Sequence, residues 1–230
     1  VTGKVASVAP AATVADALSA VKAAADAYPA WSQTGLSERR TLLNKAADAL
    51  EEKTETIIGM MISETGATGP WAGFNCMLAA GILREAAAMT TQITGEVIPA
   101  NKPGSLAMAQ RKPLGVCVGI APWNAPVILG VRAVATAIAC GNTAILKASE
   151  LCPATHVAIG QAFSDAGFPA GVMNVITNAP KDAAPIVSTL IAAPEVRHIN
   201  FTGSSNVGRI IAGEAAKHLK PVLLELGGKA

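Results

Sequence analysis

The sequence predicts an α/β fold, a doubly wound parallel sheet preceded by a helical N-terminal segment, and three observations carry that prediction. Residues 1–112 place their apolar side chains at helical spacing. From Leu114 onward, short apolar runs alternate with helical stretches, the pattern of successive βαβ units. The segments rich in reactive or ligand-binding side chains all fall at the carboxyl ends of those runs, where a doubly wound sheet binds its ligand.

In chain order, Thr13 is placed to cap a helix running through Tyr28, because a hydroxyl there accepts from the free N–H groups of a first turn. Ser37 opens a second helix that holds Leu42, Leu43, Ala46, Ala47 and Leu50 at helical spacing. A third ends at Gly66, a residue that takes the left-handed C-cap conformation without steric cost. An alanine- and methionine-rich helix follows from Pro70 to about Thr94, with Trp71 and Phe74 near its start and Gly95 as its stop. Strands are expected at 116–121, 143–147, 172–177, 197–201 and 222–226, joined by helices starting near Ala125, Pro153, Lys181 and Ser204. The chain thus divides into a helical part, 1–112, packing on a Rossmann-like parallel-sheet domain, 113–230.

Composition narrows the function. With 51% apolar residues the chain can bury a sizeable core. Eighteen basic and 16 acidic residues leave a formal charge of +2 with no Lys/Arg-rich block, so nucleic acid is not an expected partner. The charge-free stretch 113–131 is long enough to raise the question of a membrane span, but Pro122, Asn124 and Pro126 interrupt it. It reads instead as a buried strand, a turn and a helix start, and no membrane partner is expected. Cys76, Cys117, Cys140 and Cys152 form no C-x-x-C pair, and the histidines do not cluster with them, so no metal site is expected. Free thiols in an apolar domain suit a reducing cytoplasm and a packing role. Val1 is not an initiator methionine, and the chain stops just after an expected strand, which reads as a fragment.

Four segments carry chemistry, the first three with a plain alternative. The turn Phe201-Thr202-Gly203-Ser204 leads from strand to helix and offers backbone N–H groups and a helix dipole to a pyrophosphate; ordinary packing explains such a turn equally well. Its glycine spacing is neither G-x-G-x-x-G nor that of a Walker loop. Lys147 ends a strand with Glu150 just beyond, where an acid accepts from ribose hydroxyls, or else the two form a solvated charge pair. In Ile120-Ala121-Pro122-Trp123-Asn124-Ala125-Pro126, two prolines fix a turn that holds a carboxamide able to donate to an oxyanion; the alternative is an asparagine bonding only its own turn. Glu225 ends the last strand before two glycines, and partial burial there would bring its carboxylate into general-base range.

Taken together and in this order, Pro-Trp-Asn at 122–124, Lys-Ala-Ser-Glu at 147–150, Phe-Thr-Gly-Ser at 201–204 and Leu-Glu-Leu-Gly-Gly-Lys at 224–229 resemble the aldehyde dehydrogenase superfamily over essentially the whole chain. The resemblance implies a cysteine thiolate that attacks the aldehyde, with Asn124 donating to the resulting oxyanion and Glu225 activating the water that hydrolyses the thioester. It implies NAD as cofactor, with NADP the alternative. Lys147 and Glu150 would hold the adenosine ribose, Gly203 and Ser204 the pyrophosphate, and Ala121, Trp123 and Leu226 would shape the cleft. The family's nucleophile lies downstream of the Leu-Glu-Leu-Gly-Gly-Lys segment, so the downstream catalytic domain is expected outside this chain, and none of the four cysteines is assigned its role. A homodimer or homotetramer is implied for the complete enzyme. The competing reading of the chain is a non-catalytic dinucleotide-binding module on the same scaffold.

The segment Trp71-Ala-Gly-Phe74-Asn75, together with Arg132 in the apolar run 126–138, resembles the branch of that family acting on hydroxylated benzaldehydes such as vanillin and salicylaldehyde. Trp71 and Phe74 stand three apart, so one helix face presents both rings to an aromatic aldehyde, and Arg132 is placed to meet a phenolic oxygen. Alternatively the rings are core and Arg132 reaches a surface carboxylate.

Overall fold

The computed structural model describes residues 3–228; Lys229, the last residue of the fourth motif, lies outside them. Thr13 starts α1 (Val14–Gln33) with a capping box, its hydroxyl accepting from the Asp16 N–H and its own N–H donating to the Asp16 carboxylate. The helix does not stop at Tyr28. It runs through Pro29, at the cost of a helical hydrogen bond, because Trp31 in the last turn is buried and its indole N–H donates to the Ile138 carbonyl at 3.2 Å. A tertiary anchor outweighs the local breaker.

Gly35 rather than Ser37 precedes α2 (Leu36–Glu52). The next helix, α3 (Thr54–Thr65), ends at Gly66 with φ 73°, as its C-cap position requires. The helix α4 (Gly69–Met89) gives way to a 3₁₀ turn at Thr90–Gln92. Beyond Gly95 the structure adds an antiparallel hairpin of β1 (Glu96–Ile98) and β2 (Ala107–Ala109), whose three-residue strands are too short to display an alternating pattern in the sequence.

The second half is one parallel sheet of β3 (Val116–Ile120), β4 (Thr143–Lys147), β5 (Met173–Ile176), β6 (Val196–Gly203) and β7 (Val222–Leu226). Its strands are linked by α5 (Pro126–Ala139), α6 (Pro153–Asp165), α7 (Ala183–Ala192) and α8 (Ser205–Lys217). The order β5-β4-β3-β6-β7 means that the chain winds outward from β3 in one direction and then in the other. The sheet is doubly wound, and its topological switch point lies between β3 and β6.

Two cores sit on the two faces. Val118, Ile120, Ile145 and Ile199 pack against α1, α7 and α8 through Val21, Ile186, Leu190 and Ile211. On the other face Ala144 and Leu146 meet Val131 of α5 and Phe163 of α6, and this core continues outward into Leu43, Leu50 and Leu83 of α2 and α4. Each of the larger side chains contributes roughly 1.5–3 kcal/mol on full burial, so the helical segment is fastened to the sheet chiefly by the hydrophobic effect. That packing fixes the carboxyl strand ends from which the site is built.

Candidate active site

Cross-strand register brings the motif segments to one edge. Ile176 pairs with Lys147, Lys147 with Ile120, Ile120 with Phe201, and Phe201 with Leu224, so the loops that leave these strands emerge side by side. A ligand at the switch point meets the loop after β3 and the start of α8 together.

The loop after β3 holds buried Ala121, half-exposed Trp123 and exposed Asn124. Pro126 then starts α5, where its fixed φ suits a first helical residue and its missing N–H costs nothing. The loop is tied to α4. Trp71 donates its indole N–H to the Asn124 carbonyl at 3.0 Å, and fully buried Asn75 donates to the Trp71 carbonyl while its Oδ1 accepts from the Ile128 N–H. Trp71 and Phe74 are not core: they are 41% and 42% exposed, and their rings stack with centroids 5.6 Å apart.

At the end of β4, Lys147 is 5% exposed and pairs with Glu150, whose Oε1 also accepts from Asn178 Nδ2 at 3.0 Å. Burial alone would raise the Glu150 carboxyl, but the bonds from Lys147, its own backbone and Asn178 outweigh it and hold the group below the usual range. The pair is therefore not a loose surface bridge. Beneath this loop lies His156, fully buried on α6. Its Nδ1 accepts from the Ser149 N–H at 3.0 Å and its Nε2 donates to the Pro126 carbonyl at 3.1 Å, joining the loop after β4 to the start of α5. A Cβ on Gly130 would lie 3.2 Å from the imidazole and 2.5 Å from Ile159, so glycine makes the room. Burial pushes the imidazole down to about 4, leaving it neutral.

After β6, Ser204 caps α8 by accepting from the Val207 N–H at 3.3 Å, next to Gly203. No acidic residue occupies the first turn of α8, and its free N–H groups and dipole favour an anion. Leu226 of β7 packs on this helix where a Cβ on Gly208 would come within 2.5 Å, so its side chain supports the α8 turn.

Glu225 pairs with Thr202 across the strands, and its Oε2 lies 4.0 Å from Arg132 Nη2 of α5. Both line a cavity of about 1010 Å³ with Cys117, Asn200 and Leu223. The partial burial expected of Glu225 is not supplied by the described residues: its side chain is 57% exposed. Cys76, Cys117 and Cys152 are buried, and burial pushes their thiols up to about 11, 12 and 12; Cys140 is only half-buried and is also raised by burial. None is a poised nucleophile.

The motifs thus bring Asn124, Lys147, Glu150, Gly203 and Ser204 to neighbouring strand ends, while Glu225 and Arg132 face the open side of β7. His156 and Asn178 belong to none of the motifs, and Asn75 enters the sequence reading only as the end of the Trp71–Asn75 segment, with no role of its own. The available signal is weak: a polar residue among apolar neighbours in a helix for Asn75 and His156, and an asparagine just past a strand for Asn178.

The aldehyde dehydrogenase family profile matches residues 1–230. Vanillin dehydrogenase of Pseudomonas sp. strain HR199 is 61% identical over 229 residues, covering 100% of this chain and 47% of that protein. The crystal structure of a salicylaldehyde dehydrogenase from Pseudomonas putida G7 complexed with salicylaldehyde superposes with a TM-score of 0.98 at 48% identity, over 100% of this chain and 48% of that one. An NAD-dependent benzaldehyde dehydrogenase from Corynebacterium glutamicum gives 0.91 at 35% identity, over 96% of this chain and 48% of that one. The chain spans about half the length of the relatives it matches. With a profile match along its whole length and motif residues gathered at the strand ends, the chain belongs to the aldehyde dehydrogenase family.

Proposed function

We propose that the protein carrying this chain oxidises an aromatic aldehyde to its carboxylic acid with NAD, and that this chain supplies the cofactor site, the oxyanion donor and the general base. The convergence of Asn124, Lys147, Glu150 and Ser204 on adjoining strand ends is the observation that carries the reading. The residues suit a dinucleotide: the α8 turn offers N–H donors and a dipole to a pyrophosphate, and the Glu150 carboxylate stands charged beside Lys147 for ribose hydroxyls. Ala121, Trp123 and Leu226 would border that cleft. When bound, the cofactor accepts the two electrons and the hydrogen that the aldehyde loses.

Asn124 donates from its carboxamide to the oxyanion that forms when a thiolate from outside this chain adds to the carbonyl. The Trp71 and Asn75 bonds hold the backbone of the turn that carries it. Glu225 takes the proton from the water that releases the acid, and Arg132 lies 4.0 Å from it on the same cavity. The stacked, half-exposed Trp71 and Phe74 give an aromatic substrate a flat apolar wall, and the relatives named for vanillin, salicylaldehyde and benzaldehyde support that class. Arg132 is the cation we assign to a ring hydroxyl. NAD is favoured over NADP because charged Glu150 accepts from a 2′-hydroxyl and repels a 2′-phosphate.

The exposed hairpin residues Val97, Leu106 and Met108 support assembly as a homodimer or homotetramer. Among the described residues no helix is long and apolar enough to cross a membrane, and the unpaired thiols support a cytoplasmic location. The test is NADH formation by the full-length protein with vanillin, salicylaldehyde and an aliphatic aldehyde of similar size. The reading expects the aromatic pair to be turned over with the higher kcat/KM; a preference for the aliphatic compound overturns it.

A further inference from the structure

Asn178 leaves β5 at its carboxyl end, one loop away from Glu150, and is 8% exposed. Its Nδ2 donates twice, to Glu150 Oε1 at 3.0 Å and to the Ala179 carbonyl at 2.8 Å. Its Oδ1 is buried with no partner among the described residues. The amide is not free to turn over, since the reverse orientation would aim its oxygen at a carboxylate and a carbonyl, two acceptors with no proton to offer. An orphaned buried acceptor is therefore tolerated so that the donor side faces Glu150, and such groups are rare enough to call for a reason.

The reason lies in how the carboxylate is divided. Lys147 Nζ and Asn178 Nδ2 both bond Oε1, while no side chain among the described residues bonds Oε2. One oxygen is held by two side-chain donors, and no described side chain competes for the other. We propose that Asn178 is a specificity-determining residue for the cofactor: by clamping Oε1 it holds the Glu150 carboxylate stationary, with Oε2 as the acceptor for a ribose 2′-hydroxyl and the barrier to a 2′-phosphate. Asn178 adds a planar amide donor from the end of a second strand, so Oε1 is held from two directions where the rotatable ammonium of Lys147 would hold it from one. The inference rests on the reading above that Glu150 meets the adenosine ribose.

The test is calorimetric titration of NAD and of NADP into the full-length protein and its Asn178→Ala, Glu150→Gln and doubly substituted variants. Losing a hydrogen bond to a charged group predicts that Asn178→Ala weakens NAD by about tenfold. NADP should change by less than about threefold, because the repelling charge is loosened as the clamp is lost. In the Glu150→Gln background the same substitution should change NAD affinity by less than about twofold, the non-additivity expected of groups acting through one another. Should the alanine variant fail to fold, Asn178→Asp keeps the shape, removes the donor and sets a second carboxylate against Glu150; NAD should weaken at least tenfold. If Glu150→Gln shifts the NAD to NADP ratio and the Asn178 variants do not, Asn178 has no part in selectivity and this inference alone falls. If neither shifts it, the ribose role of Glu150 falls as well.

Discussion

Acid should loosen this protein through one histidine, and the size of the effect follows from where that side chain sits. His156 is fully buried between the Ser149 N–H and the Pro126 carbonyl, and its imidazole is pushed from 6.5 down to about 4. Above pH 6.5 it is neutral in both the folded and unfolded chain and costs nothing. As the pH falls from 6.5 toward 4, the unfolded chain takes up a proton that the folded one refuses, so stability declines. The slope approaches 1.4 kcal/mol per pH unit, and over that interval the loss comes to roughly 3 kcal/mol. Below about 4 both states are protonated and the loss stops growing. Glu64, Lys147 and Glu150 also face this ring, Lys147 opposing protonation and the two acids favouring it. The assay is urea unfolding followed by circular dichroism at pH steps from 7 to 4, comparing the wild type with His156→Gln, which can bridge the same two groups without titrating. The stability difference between the two should shift against the wild type as the pH falls. Parallel curves across that range would refute the reasoning.

Three further outcomes are expected of the full-length protein. Asn124→Ala should lower kcat by about 100-fold, as removal of one oxyanion donor does, and leave NAD affinity within a factor of two or so; a loss confined to NAD binding would make it structural. Trp71→Phe keeps the aromatic wall but loses the donation to the Asn124 carbonyl, which should cost about 0.5–1.5 kcal/mol of positioning and show as a several-fold fall in kcat with KM nearly unchanged. Arg132→Leu should raise KM for hydroxylated benzaldehydes far more than for benzaldehyde; an equal effect would leave Arg132 as a partner of Glu225 only.

Much of the fold is legible because its signals are local. Alternating apolar runs and helical stretches from Leu114, the Thr13 cap and the Gly66 C-cap are each decided by residues within a turn of one another. What escapes a sequence reading is decided across the molecule. Helix α1 passes Pro29 because Trp31 is anchored on a residue of α5, more than a hundred positions later in the chain. The hairpin is visible only through pairing, and the strand order only through packing. The site divides in the same way. Asn124, Lys147, Glu150 and Ser204 announce themselves by motif, whereas the side chains that tie down the loops after β3 and β4, Trp71 and Asn75 for the first, His156 and Asn178 for the second, have partners that no spacing reveals. The burial expected of Glu225 is likewise a tertiary property, and the described residues do not provide it.

The most direct test of the central claim is pre-steady-state NADH formation by the full-length protein carrying Glu225→Gln, mixed with NAD and vanillin. If Glu225 is the base that activates water, the variant should release about one equivalent of NADH per site in a rapid burst, because oxidation precedes the step it has lost. Turnover should then slow by two orders of magnitude or more, roughly the worth of a positioned general base. Wild-type turnover with no burst would contradict the assignment of Glu225 and with it the division of labour proposed for this chain.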